Sequence, residues 1–277
     1  MRKIKHAVTW FFVNVPLFLF SVSCIFPVIW LMYSSLKSSQ EFAMSPMALP
    51  ASPNFDNYVK AFLNARFDVY LVNSLFNSFV SLILVLILSF VTGYFLSRYA
   101  FPGRNAINII FLLGILVPVH ALMVPVFIQF KNLDFLNKWF TLLLPYVAFE
   151  LPISIFLVDS FVRTIPREME EAATIDGSGV FKTMFTIILP MCRPVLSTVT
   201  ILTFMHVWNE FPFAQILVKD NALKTVPVGL TYFTTQYSVD YTLLMSALVM
   251  ATLPVVIMYI LFNKKIIQGM VAGAVKG

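Results

Sequence analysis

The 277 residues are 59% hydrophobic and only 12% charged, with mean hydropathy +0.86 and a net charge of +6, whereas soluble domains carry about 25% charged residues. That excludes a soluble globular protein. In so apolar a chain the basic surplus reads as a membrane-topology signal and not as nucleic-acid binding.

A hydrocarbon core of about 30 Å needs about 20 mostly apolar helical residues to cross it. Six stretches qualify: 9–33, 70–96, 106–130, 140–161, 195–218 and 241–262. The predicted fold is therefore all-α and polytopic, one transmembrane domain over 1–277.

MRKIKH followed by an apolar run resembles the start of a secretory signal. The run continues past Cys24 through IFPVIWLMY without an A-x-A-like cleavage site, so the first element is read as an uncleaved span. Cys24 falls in that span and Cys192 near the end of the fifth, which gives a disulfide between them no geometric basis.

The connection from Ser34 to Val69, 36 residues punctuated by Pro46, Pro50 and Pro53, is too short for a ligand-binding domain. It is expected to cap the outer mouth or touch a partner. Pro16, Pro27, Pro118, Pro125, Pro145, Pro152 and Pro254 fall inside predicted spans, so several spans should kink.

An even number of spans puts both termini on one side. If that side is the cytoplasm, inner segments hold twelve of the 19 Lys and Arg, among them Arg98, Arg104, Arg163, Arg167 and Lys182, and outer segments hold seven. The bias favours cytoplasmic termini and makes the polar loop 163–194 and the tail 263–277 cytoplasmic.

Within that loop Pro166 suits a first helical turn, and Glu168, Glu170 and Glu171 suit the positive end of a helix dipole. Gly177 is a natural terminator, giving a helix of about three turns. Val180, Phe181, Met184, Phe185 and Ile188 then recur at helical spacing, predicting a second amphipathic helix that stops at Pro190. By periodicity alone this is an interfacial helix under the bilayer.

Glu150, Asp159 and Glu210 are acids within or near spans, where charges face a cavity or a partner helix. Glu150 is read as a brace and Asp159 as lying near the cytoplasmic interface. Trp208, Asn209, Glu210 and Phe211 combine aromatic faces with hydrogen-bonding groups, as a sugar pathway requires. For Asn209 and Glu210 bracing and lining remain equal alternatives.

No glycine is followed by Lys, so the phosphate-cradling pattern G-x-x-x-x-G-K-[ST] cannot occur. His6, His120 and His206 lack metal-ligand spacing, and neither a metal site nor an enzymatic role is expected.

Glu171, Ala172 and Ala173, then Gly177, then Ile187, Ile188, Leu189 and Pro190 resemble the EAA signature of ABC importer permeases. SFVRTIPREMEEAA, the run VWNEFPFA from Val207 to Ala214 and the tail QGMVAGAVKG from Gln268 resemble the carbohydrate-uptake branch related to the maltose-system inner subunit.

The resemblance implies that Glu170, Glu171, Ala172, Ala173, Asp176, Gly177, Ile187, Leu189 and Pro190 belong to a coupling helix seated on a separate ATPase. It implies that Gln268, Gly269, Gly273 and Lys276 form a tail reaching toward that ATPase. It further implies a second homologous permease, two ATP-binding subunits that hold ATP and Mg, an extracytoplasmic sugar-binding protein, and residence in a bacterial or archaeal cell membrane. A permease for a non-sugar solute and an ion-coupled carrier are the alternatives.

Overall fold

The computed structural model describes residues 2–63, 66–234 and 239–274. In chain order the helices are α1 (Arg2–Ser34), α2 (Ser39–Met44), α3 (Asp56–Leu63), α4 (Phe67–Arg98), α5 (Arg104–Leu116), α6 (Met123–Asn132) and α7 (Leu143–Val162). They continue with α8 (Glu168–Ile175), α9 (Val180–Thr183), α10 (Leu189–Met191), α11 (Arg193–Asn209), α12 (Pro212–Leu217), α13 (Val226–Gly229) and α14 (Tyr241–Ala274). Among the described residues no strand occurs beyond one isolated bridge, Thr234 to Val239.

Four helical stretches, Trp10–Ser34, Phe67–Arg98, Leu143–Val162 and Tyr241–Phe262, are long and apolar enough to cross a membrane. Two more qualify only as bent pairs: Arg104–Leu116 with Val119–Asn132, bent by 94°, and Val180–Met191 with Arg193–Asn209, bent by 75°.

The predicted third span is thus two pieces. Val117 is extended, with ψ 122°, and Val119–Leu122 form a 3-10 turn. The cause is Pro118, which pushes the residue before it out of the α region. Pro16, Pro27, Pro152 and Pro254 sit inside continuous helices. Pro125 and Pro145 fall in first turns, where amides have no intrahelical partner anyway.

The predicted fifth span, 195–218, is also corrected. α11 ends at Asn209, Glu210 is extended with ψ 123°, and α12 restarts at Pro212, because proline is favoured at a helix start and rejected in its interior.

Chain contacts divide the molecule into two compact units. The first comprises Met1–Asp68 and Leu230–Leu253. Within it the 34–63 connection is folded: Asn57 Nδ2 donates to the carbonyls of Ser35 and Lys37 at 2.8 and 2.7 Å. Phe42 stacks on Tyr241 at 5.5 Å, and Ser246 Oγ donates to Ser35 O at 3.1 Å. Lys37 is fully buried, its ammonium donating to the carbonyls of Ser45 and Pro46 at 2.9 and 3.0 Å beside the ring of Tyr33.

The second unit, Val69–Gly229 with Pro254–Gly277, holds two apolar cores. One packs Val85, Phe90 and Tyr94 of α4 against Val158 and Val162 of α7 and against Met184, Ile188 and Val195. Gly93 permits this approach, since a Cβ there would lie 2.7 Å from Val158 Cγ1. The other packs Phe130, Tyr146 and Val207 around Phe213 and Leu217 of α12 and Val218 just after it.

Candidate functional site

The polar segment after α7 is built on α8, eight residues long and so slightly over two turns, shorter than predicted. Its end is a glycine cap. Gly177 has φ +76°, Ser178 N donates to Ala173 O at 2.8 Å, and Gly177 N donates to Thr174 O at 3.0 Å. These two bonds form a Schellman motif. A Cβ at Gly177 would meet nothing within 4 Å, so the backbone conformation, not space, demands glycine here.

The glutamates part company. Glu171 is exposed, but Glu170 is claimed inside the chain: its carboxylate accepts from Arg98 Nε and, at 3.0 Å, from Tyr94 Oη. Arg98 Nη2 also donates to Ile165 O at 2.8 Å, just before α8. Glu170, which the resemblance places in the coupling helix, thus spends its carboxylate on partners within the chain. Ala172 is exposed, whereas Ala173 is only 6% exposed and belongs to the interior. Ile175 is 87% exposed. Asp176 is exposed at the C-cap.

The second helix does not stop at Pro190. It passes from α9 through a π turn, Met184–Ile188, into α10, which contains Pro190, and breaks at Cys192. The wider π turn carries the carbonyls before Pro190 away from the ring that α geometry would clash with. Pro194 then ends the run, because its ring would strike the carbonyl of Pro190 in a continuing helix. Met184 and Ile188 are fully buried, so this helix packs on the protein core and is not a purely interfacial one. Ile187 and Leu189 are half-buried and Pro190 exposed.

A second site opens between α5, α7 and α11. A cavity of about 880 Å³ is lined by Val117 and Val119 at one helix break and by Glu210 and Pro212 at the other. Its polar lining is His120, Tyr146, Glu150, His206, Asn209 and Glu210.

Two rungs cross it. Tyr146 Oη donates to Glu210 Oε2 at 2.8 Å, and Glu150 Oε1 lies 3.0 Å from His206 Nδ1. Tyr146 and Glu150 are four apart on α7, so the rungs start one turn apart there, and they end on His206 of α11 and on Glu210 just past its last residue. Glu210 also caps α12, accepting from Phe213 N at 2.6 Å and Ala214 N at 3.0 Å. Glu150 Oε2 is buried without a hydrogen-bond partner.

Of the four residues expected on a solute path, the structure brings Asn209 and Glu210 to the cavity. Trp208 instead is buried and stacks on Phe204 at 5.6 Å, because it points to the other side of α11. Phe211 sits in the break, partly exposed and outside the lining. Asp159 holds Arg163 in a bidentate pair on α7. Gln268, Gly269 and Gly273 lie on the last turns of α14, which runs on from the sixth predicted span to Ala274. Lys276 lies outside the described residues.

Tyr146, His206, Tyr94 and Arg98 carry these arrangements and went unselected in the sequence. A signal existed: polar residues spaced by four on both predicted spans that face each other.

The family described as binding-protein-dependent transport system inner membrane component matches residues 86–272. The diacetylchitobiose uptake system permease protein of Streptomyces coelicolor is 37% identical over 252 residues, covering 90% of this chain and 83% of that one. The trehalose/maltose transport system permease protein of Thermococcus litoralis is 35% identical over 263 residues, 94% of each chain. In fold the chain is similar to a subunit in the crystal structure of a bacterial ABC transporter involved in the import of the acidic polysaccharide alginate. The TM-score is 0.82 at 22% identity, over 95% of this chain and 96% of that one.

Proposed function

The chain belongs to the family of binding-protein-dependent transport system inner membrane components, and from that premise we propose that it forms half of the membrane pathway of an ATP-driven saccharide importer. A homologous permease supplies the other half, two partner subunits bind and hydrolyse ATP, and an extracytoplasmic binding protein delivers the solute. The relatives named for diacetylchitobiose and for trehalose and maltose support the saccharide class.

The observation that carries the reading is the coincidence of two of the helix breaks with one cavity. Irregular backbone at membrane depth is tolerated where it is enclosed by protein or lines a water-filled space. Here residues flanking the two breaks, Val117 and Val119 at one and Glu210 and Pro212 at the other, line the same 880 Å³ cavity. Its lining contains two carboxylates, two imidazoles and an amide and, among the described residues, no Lys or Arg. Such a wall suits the hydroxyls of a neutral saccharide and repels a uronate.

In this reading each bent pair is one span, giving six, and both termini are cytoplasmic by the charge bias. α8 is the coupling helix, with Glu171, Ala172 and Ile175 on its free face. ATP-driven closure of the partner subunits shifts α8 and thereby the balance between inward-open and outward-open states. The tail at the end of α14 approaches the same partners.

The test is uptake by the reconstituted complex of both permeases, the ATPase and the binding protein. Binding protein loaded with a neutral oligosaccharide should stimulate ATP hydrolysis and drive accumulation. Accumulation that follows a sodium or proton gradient without ATP would overturn the proposal.

A further inference from the structure

A lever transmits motion only to what it is fixed to, and α8 is fixed to α4. Glu170 takes Arg98 Nε and Tyr94 Oη; Arg98 reaches on to Ile165 O, which leads into α8. The Arg98 and Glu170 side chains are 6% and 17% exposed, so solvent screens this pair little. Tyr94 and Arg98 are four apart on α4, one above the other. Among the described residues, the side-chain hydrogen bonds that leave α8 all run to α4. α7, although next in sequence, spends its terminal Arg163 on its own Asp159.

α4 is suited to carry a displacement. Among the four continuous spans it alone has no internal proline. Its other end is also clamped. Asn73 Nδ2 donates to the carbonyls of Ala222 and Lys224 at 2.9 and 3.0 Å, and Ser74 Oγ accepts from Val226 N at 2.8 Å. Between the Asn73 and Arg98 ends a helix spans about 38 Å.

We propose that α4 is a strut between the coupling helix and segment 222–226, riveted to α8 by Arg98, Glu170 and Tyr94, which act as positioning residues for transport. This rests on the reading of α8 as the ATPase-docking helix. Displacement of α8 pulls the Arg98 end of α4, and the Asn73 and Ser74 clamp hands that movement to the segment following α12. A rivet of hydrogen-bonded charges gives this linkage a fixed geometry that apolar packing alone lacks.

The experiment measures solute transported per ATP hydrolysed by the complete complex in proteoliposomes, with copurification of the ATPase as a separate readout. Glu170→Gln and Arg98→Gln should leave the ATPase bound and its turnover within about 2-fold, while transport per ATP falls about 10-fold. Tyr94→Phe, which removes one hydroxyl, should lower it about 3-fold. The exchange Glu170→Arg with Arg98→Glu should recover part of the loss. Asn73→Ala should lower the ratio and combine non-additively with Glu170→Gln, as residues of one linkage do.

Unchanged transport per ATP in both Glu170→Gln and Tyr94→Phe would overturn the strut. So would loss of ATPase binding in Glu170→Gln that the exchange does not rescue, since Glu170 would then be a direct docking residue. Ala172→Arg separates the two levels. If it leaves coupling intact, the docking reading itself fails; if it uncouples while Glu170→Gln does not, the strut alone fails.

Discussion

Replacing Gly177 through the series Asn, Ala and Val tests whether the cap of α8 holds the shape in which it docks. The wild-type cap has two backbone bonds, Ser178 to Ala173 and Gly177 to Thr174, each worth about 1 kcal/mol net. The capped form is then favoured over an open one by roughly 2 kcal/mol and is nearly fully populated. At φ +76° alanine costs about 1–2 kcal/mol, which leaves roughly half or more of the molecules capped. Apparent affinity scales with the competent fraction, so Ala weakens ATPase binding by no more than about 2-fold.

Valine is less tolerant of positive φ. A cost of about 2–3 kcal/mol leaves roughly half or fewer of the molecules capped and weakens binding roughly 2- to 6-fold. Asparagine, which enters the left-handed region more readily, stays near wild type. The assay is equilibrium binding of the purified ATPase to the two permeases in nanodiscs. A Val variant that binds as wild type would refute the link between cap and docking. An Ala variant weaker by more than about 10-fold would show that the open space around position 177 is filled by the docked partner.

Ala172→Arg and Ala173→Arg should behave differently: the first, exposed, gives a folded permease that fails to retain the ATPase, and the second, at a 6% exposed site, lowers thermal stability in detergent. Equal melting temperatures would contradict the assigned burial. Glu210→Gln removes an acceptor from a carboxylate that serves Tyr146, Phe213 and Ala214, and should cost about 1.5–3 kcal/mol in stability without altering preference among neutral saccharides; a changed preference among these would make Glu210 a solute contact. Lys37→Met should stay within about 1 kcal/mol of wild type, as replacement of a buried ion by an apolar side chain often does, because Ser45 O keeps Ala48 N and Pro46 O keeps Trp30 Nε1. Lys37→Glu, which turns a carboxylate toward those carbonyls, should fail to express as folded protein by fluorescence size exclusion.

Hydropathy made the long helices legible, because crossing a membrane is a demand on composition and length. It did not locate the breaks. Pro118 interrupts a span while Pro152 and Pro254 do not, and a proline within an apolar run is compatible with either outcome. At Glu210 a local cue was present: an acid two residues before Pro212 can cap a helix that restarts there. The turn at Gly177 was legible because a left-handed cap is a local requirement. The fate of Glu170 was not, since an acid in a first helical turn is already explained by the dipole, and its partner Arg98 lies 72 positions away. Ala172 and Ala173 look alike in sequence; only the packed fold separates the exposed one from the buried one.

Bracing and lining appeared as alternatives for Glu210 because both tasks call for a carboxylate within a span. The geometry joins them. A carboxylate at membrane depth needs its lone pairs claimed, and Glu210 has donors on both oxygens, so it faces the cavity as a fixed, satisfied group. Glu150 differs, with Oε1 engaged by His206 and Oε2 unclaimed. An uncompensated buried acceptor is costly, and rotation of the half-free carboxyl or of the largely exposed His206 ring would offer it to a donor in the cavity. On the saccharide pathway proposed above, Glu210 would shape the wall and the Glu150–His206 rung would be the adjustable acceptor for a hydroxyl-bearing solute; Glu150→Gln should then weaken uptake, and unchanged uptake would leave the rung a brace.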